Sequence, residues 1–226
     1  MNINRKFKDS VFTKLFEDPA LLRELYCALG GVSLPQDTLV SINTLENVLF
    51  MDLYNDISFE IGGKLVVPTE YQSTINPNMA LRFLLYHSRV MEKTVKGRAL
   101  YSGKQLSIPW PEFYVLYNGI DEYPPEAVLC LSDLFKDPQD LGLPEKDKPL
   151  LELEVKVINI NEGKNDAVVN RCRKLAEFSA FTARSRIFLK EMNSKEEAIQ
   201  ETVKYCLKHG ILTEFLEKYG VQLCTA

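Results

Sequence analysis

The order of hydrophobic and polar positions along the chain predicts alternating helices and strands. Residues from about Asp9 to Leu29 read as a helix broken near Asp18-Pro19 and stopped at Gly30-Gly31. A strand is expected near Asn47 to Leu53. The stretch Asn55-Asp56-Ile57-Ser58-Phe59-Glu60-Ile61 then alternates polar and apolar, Gly62-Gly63 turns the chain, and Lys64-Leu65-Val66-Val67-Pro68-Thr69-Glu70-Tyr71-Gln72 returns. Asn76 as cap and Pro77 in the first turn open a helix whose buried side carries Met79, Phe83, Leu84 and Tyr86. Glu112 to Tyr117 reads as a buried strand, followed by a proline-rich loop and a short segment from Leu131 to Phe135. A further strand, Leu150 to Ile158, places Leu151, Leu153, Val155 and Val157 inside and Glu152, Glu154 and Lys156 outside. Asn165 opens one long helix, and Ser194 with Glu197 forms a capping box for the next, which ends at Gly210. The last amphipathic piece, Ile211 to Tyr219, carries more apolar surface than an isolated helix of this length keeps in water. It has to dock on its own domain or on a second subunit, so a homodimer through the C-terminal helices is one expectation. Crossover helices imply some parallel strand pairing.

The register of the hairpin decides which side chains share a face. A two-residue loop at Gly62-Gly63 pairs Ile61 with Lys64, sets Asp56 opposite Thr69 and sends Glu70 to the other face. A slip of one residue, through a longer loop or a bulge, pairs Ile61 with Leu65 and Phe59 with Val67, and makes one face cleanly apolar. The other face then carries Asp56 opposite Glu70, with Ser58, Glu60 and Gln72 beside them. Hydrophobic burial therefore favours the slipped register.

Composition narrows the classes. With 226 residues, 46% of them hydrophobic and 26% charged, the chain reads as a globular domain with a helical appendage. The expected division is a domain over residues 1–190 and a helical extension over 191–226. No apolar stretch reaches membrane-spanning length and the polar start lacks the core of a signal peptide, so no membrane partner and a cytoplasmic location are expected. The cysteines, Cys27, Cys130, Cys172, Cys206 and Cys224, show no C-x-x-C pair and read as reduced, mostly buried thiols. His87 and His209 stand in no metal-ligand or triad spacing, and there is no Walker A or G-x-G-x-x-G sequence. Any phosphate chemistry must then come from carboxylates and a metal.

The order helix, strand, Asp-bearing strand, Glu-x-Gln strand, helix resembles the PD-(D/E)xK nuclease superfamily. The wording Asn55-Asp56-Ile57-Ser58-Phe59 and Glu70-Tyr71-Gln72-Ser73-Thr74-Ile75-Asn76-Pro77-Asn78-Met79 resembles its Rpn branch of recombination-promoting nucleases and transposases. The likeness continues through Phe113-Tyr114-Val115-Leu116-Tyr117-Asn118-Gly119 and Leu153 to Asn161. It departs from the superfamily pattern where Asn55 precedes the aspartate and where Gln72 replaces the usual lysine. The resemblance implies an α/β restriction-endonuclease-like fold, a mixed sheet flanked by helices, with a C-terminal helical extension. It also implies Asp56, Glu70 and the Tyr71 carbonyl as ligands of Mg²⁺ or another divalent cation such as Mn²⁺ or Ca²⁺, and DNA as the partner. Gln72, neutral and able to donate and accept, would orient the attacking water. Glu24, Glu46 and Asp52 are candidates to complete the site.

The net charge of −4 argues gently against nucleic acid, but its distribution offers two basic stripes. Arg82, Arg89 and Lys93, continued by Lys96 and Arg98, come after the Glu-x-Gln strand. Arg171, Arg173, Lys174, Arg184, Arg186 and Lys190 come after the Glu154 strand. Each is as readily a solvated helix surface. Glu154-Val155-Lys156 fits an E-x-K pattern more literally than Glu70-Tyr71-Gln72 but has no aspartate-bearing hairpin partner, and ranks second. Two function classes remain: a metal-dependent DNA endonuclease, or a non-catalytic binding or regulatory module on a nuclease fold.

Overall fold

The computed structural model describes residues 11–43, 58–72, 74, 76–95, 97–136 and 149–224. Residues 11–15 are helical, and helix α1 (Pro19–Gly30) starts after a break where Asp18 acts as cap, its Oδ1 accepting the Ala20 N–H at 2.7 Å. Gly31 ends α1 in the left-handed region, φ 64°, with its N–H returned to the Cys27 carbonyl. Next come β1 (Val40–Asn43), β2 (Ser58–Ile61), β3 (Lys64–Gln72), α2 (Met79–Thr94), β4 (Trp110–Tyr117), β5 (Glu126–Cys130) and β6 (Glu154–Asn159). The chain closes with α3 (Asp166–Val169), α4 (Arg173–Glu191), α5 (Lys195–Lys208) and α6 (Thr213–Cys224).

Among the described residues six strands form one mixed sheet in the order β1-β2-β3-β4-β6-β5. β1, β2 and β3 are antiparallel neighbours, β3, β4 and β6 run parallel, and β5 returns antiparallel on β6. Helix α2 is the crossover between the parallel strands β3 and β4. The protein is thus an α/β structure with helices on both faces of the sheet.

Strand alternation distributes the core into two clusters. Phe59, Ile61, Val66, Tyr114, Leu116 and Ile158 meet α1, α4, α5 and α6 on one face. Leu65, Phe113, Val115, Tyr117, Val155 and Val157 meet Met79, Ala80, Phe83, Tyr86 and Val90 of α2 on the other. Leu212, Phe215 and Leu216 belong to the first cluster, so the last helix buries its apolar side against its own chain.

Several elements differ from the sequence reading. Strand β1 was not expected, and β5 occupies what read as a proline-rich loop. The expected strand near Asn47 to Leu53 lies outside the described residues. Helix α2 begins at Met79 with Asn78 as cap, and the Asn76 side chain accepts the Asn78 N–H at 2.9 Å, so Asn76-Pro77 shapes the turn before the helix. β6 begins at Glu154 instead of Leu150, because Glu152 turns back to accept the Ser132 and Leu153 N–H groups at 3.1 and 2.9 Å. Leu151, expected inside, is 52% exposed. The long helix expected from Asn165 is two: α3 ends at Val169, and α4 starts after Cys172 in an extended conformation. Asn165 is drawn into a tertiary role, donating to the Pro125 carbonyl and to Glu126. Ser194 caps α5 as expected, accepting the Glu197 N–H at 3.4 Å.

Candidate functional site

The hairpin turn is the tight one. Gly62 and Gly63 have φ 56° and 81°, the pair of left-handed residues that a two-residue loop of type I′ requires. The pairing is Ile61 with Lys64, Glu60 with Leu65 and Phe59 with Val66, which overturns the expected pairing of Ile61 with Leu65 and Phe59 with Val67 and is the register that, continued regularly, sends Glu70 to the face opposite Asp56. The slipped register was favoured on the premise of one apolar face. Both faces of this sheet are covered, so Phe59, Ile61 and Val66 enter one core cluster and Leu65 the other. Lys64 shares the apolar face by reaching out of it: its Nζ lies 2.5 Å from Glu112 and 5.8 Å from the Tyr26 ring centre. Those partners, Glu112 foremost, push its pKa up to about 12.

A one-residue shift does occur, at the other end of β3. Thr69 pairs with Val115 on β4, Glu70 is skipped, and Tyr71 pairs with Leu116. The bulge reverses the parity of the last two strand residues, so Gln72 rather than Tyr71 takes the place beside Tyr117. Asp56, Glu46 and Asp52 lie outside the described residues, and Glu70, Tyr71 and Gln72 are described in their backbone alone. Glu24 is exposed on α1.

Because β3, β4 and β6 are parallel, their carboxyl ends form one edge. Gln72 pairs with Tyr117, and Tyr117 with Asn159, so the Glu-x-Gln segment ends beside the last residues of two neighbouring strands. Sequence reasoning passed over what lies there. Asn118 and Asn159 are each 1% exposed. Asn161 donates to the Gly119 carbonyl at 3.1 Å and to the Asn159 side chain at 2.9 Å. Asn159 donates to the Tyr123 carbonyl at 2.8 Å. Arg186, from the middle of α4, donates to Asn161 Oδ1 at 2.8 Å and to Asn118 Oδ1. The signal in the chain was three asparagines directly after buried apolar runs, where a polar side chain needs a built partner.

The basic stripes are not brought together. Helix α2, with Arg82 and Arg89 half-buried and Lys93 exposed, covers one face of the sheet, and α4 covers the other. Arg171 lies over Gly31. Arg173 and Lys174 are bound to Glu177 at 2.7 and 3.1 Å, and the Arg184 guanidinium sits 4.8 Å over the Tyr205 ring. Arg186 is turned into the asparagine cluster.

Glu154 and Lys156 stand exposed at the start of β6, at the opposite end of the parallel strands from Gln72. With Leu84, His87, Trp110, Phe113, Leu151 and Leu153 they line a groove of about 700 Å³. Glu112, Glu152, Glu154 and Lys156 supply its charged groups, with Lys156 Nζ 5.8 Å from the Tyr114 ring centre. His87 packs edge-on to Phe113, with its pKa lowered by burial. His209 caps α5, stacked 3.9 Å from the Tyr205 ring. Cys172 and Cys206 are buried, and burial pushes their thiols up to about 11 and about 12; Cys27 and Cys130 are half-buried.

Among the described residues no three His, Cys, Asp or Glu side chains are grouped to hold a metal ion. No described helix is long and apolar enough to cross a membrane. Set against protein-family models, curated proteins and solved structures, the chain has no match.

Proposed function

We propose that this chain is a cytoplasmic metal-dependent DNA endonuclease of the Rpn type on a PD-(D/E)xK fold, hydrolysing phosphodiester bonds in recombination, mobile-element activity or phage defence. The bulge at Glu70 carries the reading. It leaves Glu70 unpaired in the β3–β4 ladder near the carboxyl edge of the parallel strands, while Tyr71 and Gln72 stay paired with Leu116 and Tyr117. Bulges concentrate beside active sites, and open α/β sheets take their ligands at that edge.

The donor chemistry fits a hard divalent cation such as Mg²⁺, Mn²⁺ or Ca²⁺: Asp56, Glu70 and the Tyr71 carbonyl supply oxygen only. The register shift at Glu70 comes directly before that carbonyl. When bound, such a cation supplies positive charge against the scissile phosphate and acidifies a water. Gln72 cannot take up a proton near neutral pH, so its part is to orient the attacking water by hydrogen bonds. Arg82, in the first turn of α2 shortly after β3, supplies a phosphate contact at the same edge.

The test is cleavage of supercoiled plasmid with Mg²⁺ or Mn²⁺ by wild type, Asp56→Ala, Glu70→Ala and Lys156→Ala. Nicking by wild type and Lys156→Ala, lost in the other two, is the expected result. Loss in Lys156→Ala alone would move the site to β6. The second reading, a binding module on the same fold, is favoured by the groove of about 700 Å³ with its exposed Trp110 and Leu151. It would take precedence if wild type cut no form of DNA with either metal.

A further inference from the structure

We infer that the outer edge of β5 docks a basic, extended peptide as an added strand of the sheet. This goes beyond the nuclease reading and does not rest on it, since β4 and β6 lie between β5 and the Glu-x-Gln strand. β5 ends the sheet, with β6 as its neighbour. The Asn159 N–H donates to the Pro125 carbonyl and the Leu131 N–H to the Leu153 carbonyl, each at 2.9 Å, so the odd-numbered residues here turn their backbone groups toward β6. The even-numbered ones, Glu126, Val128 and Cys130, turn theirs outward. At Cys130 the edge is closed, because Asp133 Oδ2 accepts its N–H at 3.3 Å. Among the described residues no partner meets the backbone N–H and C=O of Glu126 or Val128. Two residues, each with a free donor and a free acceptor on the same side, are what an antiparallel strand needs for two hydrogen-bonded pairs.

The side chains at this edge select the peptide. Glu126, Val128 and Cys130 pair with Ile158, Lys156 and Glu154 and share one face of the sheet. Val128 is 52% exposed there, which leaves an apolar contact at the centre of the strand. Carboxylates lie at both ends. Glu126 stands at one, and Asp133, Glu152 and Glu154 surround Cys130 at the other, where burial and then these three charges raise the thiol pKa. Lys156, on the adjacent strand, offsets part of this charge. A strand with an apolar residue opposite Val128, and Arg or Lys two residues to either side, therefore matches both the backbone and the charge. A second copy of this chain would match the backbone alone, because pairing β5 with itself about Val128 brings each Glu126 against an Asp133 carboxylate. A nucleic acid would be repelled by the same groups.

The test titrates the full chain into a short fluorescent peptide carrying Arg-Thr-Val-Thr-Arg, into the same peptide with Glu for Arg, and into the Arg peptide with its valine N-methylated. The Arg peptide should bind saturably, with an affinity that falls as salt rises, and the Glu peptide about tenfold more weakly or worse. N-methylation keeps the charge and removes the donor to the Val128 carbonyl, so it should also lower the affinity about tenfold. Hydrogen exchange at the Val128 amide should slow when the Arg peptide binds. Val128→Pro removes the outward N–H at a position where an edge strand tolerates proline, and should weaken binding similarly at an unchanged melting temperature. If that variant does not fold, the N-methylated peptide decides on the wild-type chain. Equal affinity for the Arg peptide and its N-methylated form would mean adsorption by charge alone and overturn the inference, as would no binding. Self-association of the free chain that is lost in Val128→Pro would overturn it in favour of a second copy. All of this is read without DNA, so none of these outcomes alters the nuclease reading.

Discussion

Gly119 shows how a single residue is held by its neighbours. A Cβ built there would overlap Tyr117 Oη and two carbons of its ring, while the Tyr117 hydroxyl donates to the Asp121 carbonyl at 2.8 Å. The glycine is required by close approach, not by its backbone angles. Gly119→Ala should therefore destabilise the fold by about 1–3 kcal/mol, the usual cost of overpacking, read as a lower urea midpoint at unchanged slope. A midpoint equal to wild type would mean that the Tyr117 ring swings aside freely. In the sequence, Asn118-Gly119 is legible as a turn after a buried strand. The Tyr117 ring folding back over it is not, because it depends on where Tyr123 packs, 5.0 Å away centre to centre. The same holds for Arg186: its helical spacing matched an exposed stripe, whereas in the fold it donates to Asn118 and Asn161, which lie just past the ends of β4 and β6.

At the scale of elements, short-range signals were legible and pairings were not. The break at Asp18-Pro19, the stop at Gly30-Gly31, the Gly62-Gly63 turn and the Ser194 cap are local chemistry, and each is found where the residues put it. The hairpin register depends on whether one face or both are buried, which helices far along the chain decide. Helix α4 is tied to the start of α6 by another long-range contact, where Glu177 Oε2 accepts the Leu212 N–H at 3.0 Å. Leu212 has φ 51°, a conformation that costs a residue with a side chain about 1–2 kcal/mol, and it is fully buried. Burial pushes the Glu177 carboxyl up, but hydrogen bonds from Lys174, Arg173 and the Leu212 N–H outweigh it and hold the pKa below the ordinary 4.5. The unfolded chain then binds the proton more readily than the folded one. The stabilisation is accordingly present above the ordinary carboxylate pKa and lost as pH falls through the lower folded value. Glu177→Ala should lower stability by about 1–3 kcal/mol at pH 7. Urea unfolding at pH 7, 5 and 3 should show the gap to wild type closing at the acid end; a gap independent of pH would assign the effect to lost packing.

The whole molecule separates surfaces that the sequence sets side by side. Helices α2 and α4 lie on opposite faces of the sheet, so a straight duplex cannot lie along both basic stripes at once. The carboxyl edge of β3, β4 and β6 selects between them. Arg82 is in the first turn of α2, close in sequence to the end of β3, whereas Arg173 lies thirteen residues before Arg186 along α4, a distance of about 20 Å at 1.5 Å per residue. Arg173 is also 2.7 Å from Glu177, which offsets its charge locally. If DNA is engaged at the carboxyl edge, Arg82→Ala should weaken duplex binding severalfold and lower the salt slope by about 0.9, as the loss of one phosphate contact does. Arg171→Ala with Arg173→Ala should leave both nearly unchanged. Titration of a labelled duplex at several salt concentrations reads both quantities. The reverse outcome, with binding carried by Arg171 and Arg173, would place the nucleic acid over the α4 face and detach it from the Glu-x-Gln strand.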